Sequence, residues 1–299
     1  MKNNFLIVSV QKLFGGFMEN IDIDFGQTVS SGAVSMLVVG AILVLSVLIV
    51  AIIITAKRWK GRVIPLLLGI LSYVIFGFMF SQMFMSIIRL IPSVDMSFTY
   101  NSSSYIVVYN IVFAVGLAIA RWFTVKLMAD KYNRAGDVIL AGTGIALGDT
   151  VMMYGLSVLS YYVYAQAISA SGLQKVVEDM LSSGLSAEEV MTEYTANMAQ
   201  LFNAPEPLWF IMGLATVLDI VLNIILCIVV YGSVKKQINY MLPYYAIIIQ
   251  FVSNILFQVY NAYSLSNIII LFTIKLVVVI GTILYTKQFI MKEIKYSDD

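Results

Sequence analysis

Seven apolar runs of twenty residues or more recur along this chain, at about 33–56, 63–88, 104–128, 136–166, 207–232, 240–262 and 265–289. A helix rises 1.5 Å per residue, so about twenty apolar residues cross the roughly 30 Å hydrocarbon layer of a bilayer. No water reaches the backbone there, and a single run keeps its amide groups bonded only as a helix. The pattern predicts an all-α, polytopic membrane protein of about seven transmembrane helices in one bundle. Composition agrees: of 299 residues, 60% are hydrophobic and 12% charged. That is about half the charged fraction of a soluble domain.

Cations mark alternate ends of the runs. "KRWKGR" (Lys57 to Arg62) follows the first, and Lys126, Lys131 and Arg134 lie between the third and fourth. Lys235 and Lys236 follow the fifth, and Lys287, Lys292 and Lys295 close the seventh. The positive-inside rule then predicts the N-terminus outside and the C-terminus in the cytoplasm. Residues 1–32 read as an N-terminal interfacial or extracytoplasmic segment, 33–289 as the membrane domain, and 290–299 as a cytoplasmic tail. An extracytoplasmic insertion is expected at 168–204, where "SAEE" (Ser186 to Glu189) is a capping box and the pattern suggests two short acidic helices.

Several chemistries are excluded early. Net charge is +1, so bulk basicity does not point to nucleic acid. The single cysteine, Cys227, rules out an internal disulfide framework or a multi-thiolate zinc site. Histidine is absent altogether, which removes the commonest metal ligand and the commonest general base.

The stretch "AGTGIALGDTVMMYG", Ala141 to Gly155, superficially resembles a phosphate loop. A dinucleotide fingerprint needs Gly-x-Gly-x-x-Gly between a strand and a helix. Here the third glycine comes one place late and the context is an apolar span. Gly142, Gly144, Gly148 and Gly155 are instead expected to form a helix-packing face, because small residues let backbones approach closely in lipid. Asp149 is left over.

Four ionisable residues fall inside spans: Arg121, Asp149, Asp219 and Lys275. A charge at the bilayer centre costs at least about 2.5–3.5 kcal/mol, so such groups face the bundle interior and pair. Arg121 is expected to pair with Asp149 or Asp219, and Lys275 with the other acid or a backbone carbonyl. Asp219 and Asn223 lie four apart on one span, as do Gln250 and Asn254 on the next, with Asn261 two turns beyond. Residues at i and i+4 share a helix face. Arg121, Asp149, Asp219, Asn223, Gln250, Asn254 and Lys275 are therefore expected around one polar interior, as a hydrogen-bond network or as a ligand-facing cavity.

At these residues the chain resembles the YhfC-like family of bacterial intramembrane metalloproteases, relatives of the CAAX prenyl proteases. "KRWKGRVIPLLLGILSYVIFGFMFSQ" and "RWFTVK" are similar to its second and third spans. The family precedes that arginine with two glutamates, where this chain has Leu117 and Ala118. "GTGIALGD" fits the frame of its Gly-x-Gly-His-Gly-x-x-Glu signature, with Ile145 at the histidine and Asp149 at the glutamate. Ala215, Thr216 and Asn223 stand where it has Glu-Arg and a following histidine, and Gln250 and Asn254 where it has His-x-x-x-Asp. A catalytic zinc needs about three histidine or carboxylate ligands and an open position. The resemblance thus implies the family fold in a bacterial plasma membrane with no catalytic residue, no metal and no cofactor. The expected role is a subunit holding a ligand, another membrane protein or a membrane-embedded peptide, with the lipid bilayer as its other partner.

Two other readings stay open. "LGD", Leu147 to Asp149, is similar to the Gly-x-Gly-Asp motif of intramembrane aspartyl proteases, with Asp219 as the second acid. Against it, Ala146 stands at a glycine, and no Tyr-Asp precedes the motif. A small transporter or ion-conducting protein would also carry intramembrane Asp and Lys.

Overall fold

The computed structural model describes residues 23–90, 103–258 and 265–296. Most of the expected interfacial segment, Asn261 and the last three residues of the tail lie outside these. Every regular element among the described residues is helical.

Helix α1, Ser31–Arg58, opens on Ser30, whose hydroxyl accepts from the Gly32 amide at 3.1 Å. Its buried stripe, Ala33, Leu37, Gly40, Val44 and Leu48, keeps helical spacing. Val39, Ile42, Leu45 and Ile49 on the other side are about half exposed. A soluble protein would not leave so continuous an apolar face open, and lipid accepts it. The second span is α2, Val63–Ser72, a π-helical turn at Tyr73–Met79, and α3, Phe80–Arg89. The third is α4, Ser103–Met128.

The fourth span is the longest. It runs through α5, Ala135–Asp149, a π-helical turn at Thr150–Gly155, and α6, Leu156–Ser171. Its 37 residues span about 55 Å, well beyond the hydrocarbon layer. Three short helices follow: α7, Leu173–Ser182; α8, Ala187–Glu193; and α9, Ala199–Asn203, the last two joined by a π-helical turn. They form two rods, with the capping box at Ser186 in place. Leu173, Val176, Val190 and Leu201 pack there with Tyr161, Ile168 and Trp209, sealing one end of the bundle. The helix of the fourth span continues to Ser171, and the first of the short helices starts at Leu173.

Helices α10, Pro207–Val234, α11, Leu242–Gln258, and α12, Leu265–Tyr285, complete the domain. Six described helices are long and apolar enough to cross a membrane, and the sixth span is a shorter apolar helix. Helix α10 is central, in contact with α1, α4, α5, α11 and α12.

Glycine sets the distance between α2 and α5. A Cβ on Gly144 would stand 2.1 Å from the Leu66 carbonyl oxygen, and one on Gly69 would stand 2.3 Å from that of Ala141. Gly148 lies against the Tyr73 ring. Gly142 serves another neighbour, since its Cβ would come 2.7 Å from the Ile224 Cα on α10. Gly155 corrects the expectation of a longer packing strip: an added Cβ there meets only the Thr150 carbonyl, at 3.4 Å. The π turn widens the helix just before Gly155, and the face does not continue through it.

The opposite end is held by charge. Asp137, buried in the first turn of α5, accepts from the Arg62 backbone amide at 2.9 Å and pairs with the Arg62 guanidinium at 2.5 Å. That guanidinium also lies over the Tyr132 ring, 4.6 Å from its centroid. An acid at a helix N-terminus is favoured by the exposed amides and the helix dipole.

Candidate intramembrane site

Asp149 is the last residue before the backbone passes into the π turn at Thr150–Gly155. Tyr73, at the start of the other interior π turn, packs against Gly148. Such turns displace side chains from regular register and are frequent at functional sites. Across from them, Asp219 and Asn223 sit one turn apart on α10. Asp219 lies twelve residues beyond Pro207, hence about 18 Å along the axis and near the middle of a bilayer-spanning helix.

The seven expected polar residues fall into two sets. The first is dry. Arg121, Asn223 and Gln250 are fully buried. Arg121 donates through Nη2 to Asn223 Oδ1 and to Gln250 Oε1, each at 2.5 Å. Asn223 Nδ2 donates on to Asp149 Oδ2 at 3.3 Å, and Gln250 Nε2 to Asn254 Oδ1 at 3.0 Å. The network ties α4, α5, α10 and α11 together.

The second set faces space. Asp149, Asp219, Asn254 and Lys275 line a cavity of about 220 Å³. Tyr109, Phe113 and Tyr154 supply aromatic wall, and Met153, Met212, Ala215 and Thr216 complete it. Lys275 Nζ donates to Asp219 Oδ2 at 2.7 Å. The Asp219 side chain keeps 24% exposure against 4% for Lys275, so the acid looks into the cavity and the amine braces it from behind.

This geometry corrects one expected pairing. Arg121 meets neither acid directly. Asn223 stands between it and Asp149, its amide oxygen accepting from the guanidinium and its amide nitrogen donating to the carboxylate. Asp219 is already held by Lys275.

Ile145 and Leu117, the positions where the resemblance implies a histidine and a glutamate, are both fully buried. They belong to one apolar cluster with Tyr73 and Phe113. No group of three His, Cys, Asp or Glu among the described residues is placed to hold a metal ion. The chamber offers two carboxylates, one of them ion-paired, with a second cation one amide away. That donor set does not fit a zinc centre.

Of the wall, Ala215 and Thr216 stand where the resemblance has Glu-Arg, while the aromatic and methionine residues carry no such signal in the sequence. Tyr109 and Phe113, four apart on α4, stack at 5.9 Å and 10°. Their spacing was visible, but an aromatic pair at that spacing is equally a lipid-facing ridge. Asp137 was passed over because it sits at a span end.

The fold is thus that of a multi-pass helical membrane protein with a polar chamber among its spans. The sequence model of the YhfC intramembrane metalloprotease family matches residues 41–275, and the chain belongs to that family. Comparison with curated proteins and with solved structures gave no match.

Proposed function

We propose that this protein is a bacterial plasma-membrane member of the family that does not cleave peptide bonds and uses its chamber to hold a ligand or a membrane-embedded segment of a partner. The observation that carries this is the replacement of the reactive positions by packing. Ile145 and Leu117 share an apolar cluster, so the imidazole implied at the first and the carboxylate implied at the second would be buried largely among hydrocarbon. The amide oxygens of Asn223 and Gln250 accept from Arg121 Nη2 instead of facing a metal. The cavity itself persists, lined by charge that costs stability unless it has a use.

The test is metal content and proteolysis on detergent-purified protein. Metal is expected below stoichiometric levels by elemental analysis, and transmembrane model substrates are expected to stay intact. Stoichiometric zinc, or cleavage abolished by a chelator, overturns the proposal. The shared cavity of Asp149 and Asp219 favours one other reading, an aspartyl hydrolase. Such a pair works by sharing one proton, and the contact of Lys275 with Asp219 opposes that. Chelator-insensitive cleavage lost in both Asp149→Asn and Asp219→Asn would establish it.

A further inference from the structure

The side chains around the cavity define a ligand class, given the reading above that the chamber binds rather than cleaves. Among the ionisable lining residues, Asp149 and Asp219 are acids and Lys275 is the base. With all three ionised, the lining itself carries a net single negative charge, and the balancing Arg121 stands outside it behind Asn223. Lys275 is spent on Asp219 Oδ2 at 2.7 Å, while Asp219 Oδ1 is buried without a hydrogen-bond partner. Asp149 accepts the long amide bond from Asn223, at 3.3 Å, and also interacts with the Tyr73 hydroxyl, so it is not fully engaged by strong donors. The carboxylates therefore keep acceptor capacity that the protein does not fill, in surroundings where an unpaired acceptor is costly.

The rest of the wall is aromatic and sulfur-bearing. Tyr109 and Phe113 present stacked rings from α4, Tyr154 faces them from the π turn, and Met153 and Met212 fill between. Ring faces attract cations, more strongly where water is excluded. An anion would meet two carboxylates at the wall, with Lys275 already engaged and Arg121 held back behind Asn223, so direct contact disfavours it. At about 220 Å³ the cavity is smaller than the roughly 300–1,000 Å³ of drug-sized sites.

We infer that the chamber binds a small monovalent organic cation, an ammonium group on a compact apolar or aromatic body, with Asp149 and Asp219 taking the charge and Tyr109, Phe113 and Tyr154 taking the body. A direct test uses thermal unfolding of the detergent-purified protein with benzylamine, benzyl alcohol and benzoate, three probes of one shape and three charges. Benzylamine is expected to raise the unfolding midpoint in a concentration-dependent way, at about millimolar levels for a ligand so small. The alcohol and the acid are expected to have no such effect. Asp149→Asn should lose the benzylamine response. Thr216→Leu, which fills the cavity without touching a charge, should lose it too, so the inference does not depend on one variant folding.

Stabilisation by benzoate instead would overturn the cation assignment and leave a binding chamber standing. An equal response to sodium or potassium chloride would also overturn it, in favour of an inorganic cation. A benzylamine response unchanged in Thr216→Leu would place binding outside the cavity and overturn the inference. Stoichiometric zinc in the same preparation would remove the non-catalytic reading whatever the amines do.

Discussion

Gly144→Ala tests the packing most directly. The added methyl would stand 2.1 Å from the Leu66 carbonyl oxygen, 2.9 Å from its carbon and 3.1 Å from the Ile70 nitrogen. Carbon and carbonyl oxygen ordinarily come no closer than about 3.3 Å. Helices α2 and α5 must therefore part by roughly 1.2 Å at this point. All three atoms are backbone, so no rotamer change relieves the contact. Overpacking of this kind costs about 1–3 kcal/mol, and the better helix propensity of alanine returns at most about 1 kcal/mol. Because only backbone could yield, the upper part of that range applies, and the net loss of about 1–2 kcal/mol corresponds to a midpoint lower by roughly 2–8 °C on the scale of 150–250-residue proteins. Gly155→Ala is the matched control on the same span, since its methyl meets only the Thr150 carbonyl at 3.4 Å. It is expected to be neutral or slightly stabilising. Thermal unfolding in detergent by intrinsic fluorescence, with size-exclusion of heated samples, reads both. If Gly144→Ala unfolds at or above the wild-type temperature, or if Gly155→Ala falls as far, the described contact between α2 and α5 is wrong.

Lys275→Met should destabilise the protein by leaving Asp219 within the membrane without its cation, by less than the about 3–5 kcal/mol of a fully buried pair because the acid is partly open to the cavity. Lys275→Met/Asp219→Leu should recover much of that loss; denaturation midpoints of the two variants decide it. Arg121→Lys should cost about 1.5–3 kcal/mol, because a single ammonium does not reproduce the reach of Nη2 to both Asn223 and Gln250; equal stability would show that the dry network contributes nothing. The Ser186 amide and hydroxyl hold the Glu189 carboxyl below its usual range. Its contribution to the cap should be complete above the ordinary glutamate value of about 4.3 and fade as pH falls through the lower folded value. Proteolytic nicking of 187–193 should rise under acid in wild type, and Glu189→Gln should be nicked at neutral pH. Single-cysteine labelling on a Cys227→Ser background should place the 173–203 rods outside and residues 291–296 in the cytoplasm; the reverse pattern would invert the assigned topology.

Spans, their number and the charge asymmetry between loops were legible in the chain, since each depends on composition over some twenty consecutive residues. The capping box was equally local. The gathering of Arg121, Asn223, Gln250 and Asn254 was partly legible, because residues four apart must share a face. Which partner each would choose was not. Asn223 and Asp219 occupy neighbouring turns of one helix, yet one bridges to Asp149 while the other is claimed by Lys275 from α12. Gly155 shows the same limit: its spacing from Gly148 promised a continuous strip, and the π turn between them broke it.

By itself the sequence determined that this is a membrane protein of its family without the imidazoles of a zinc site. Hydropathy and residue identity are properties of the chain and survive any arrangement of the helices. Tertiary structure alone decided that Ile145 and Leu117 close into one apolar cluster while Asp149 and Asp219 open onto a shared cavity. The rotation of each helix and the π turns set that outcome, and these follow from backbone contacts such as Gly144 on Leu66, between residues far apart in the chain.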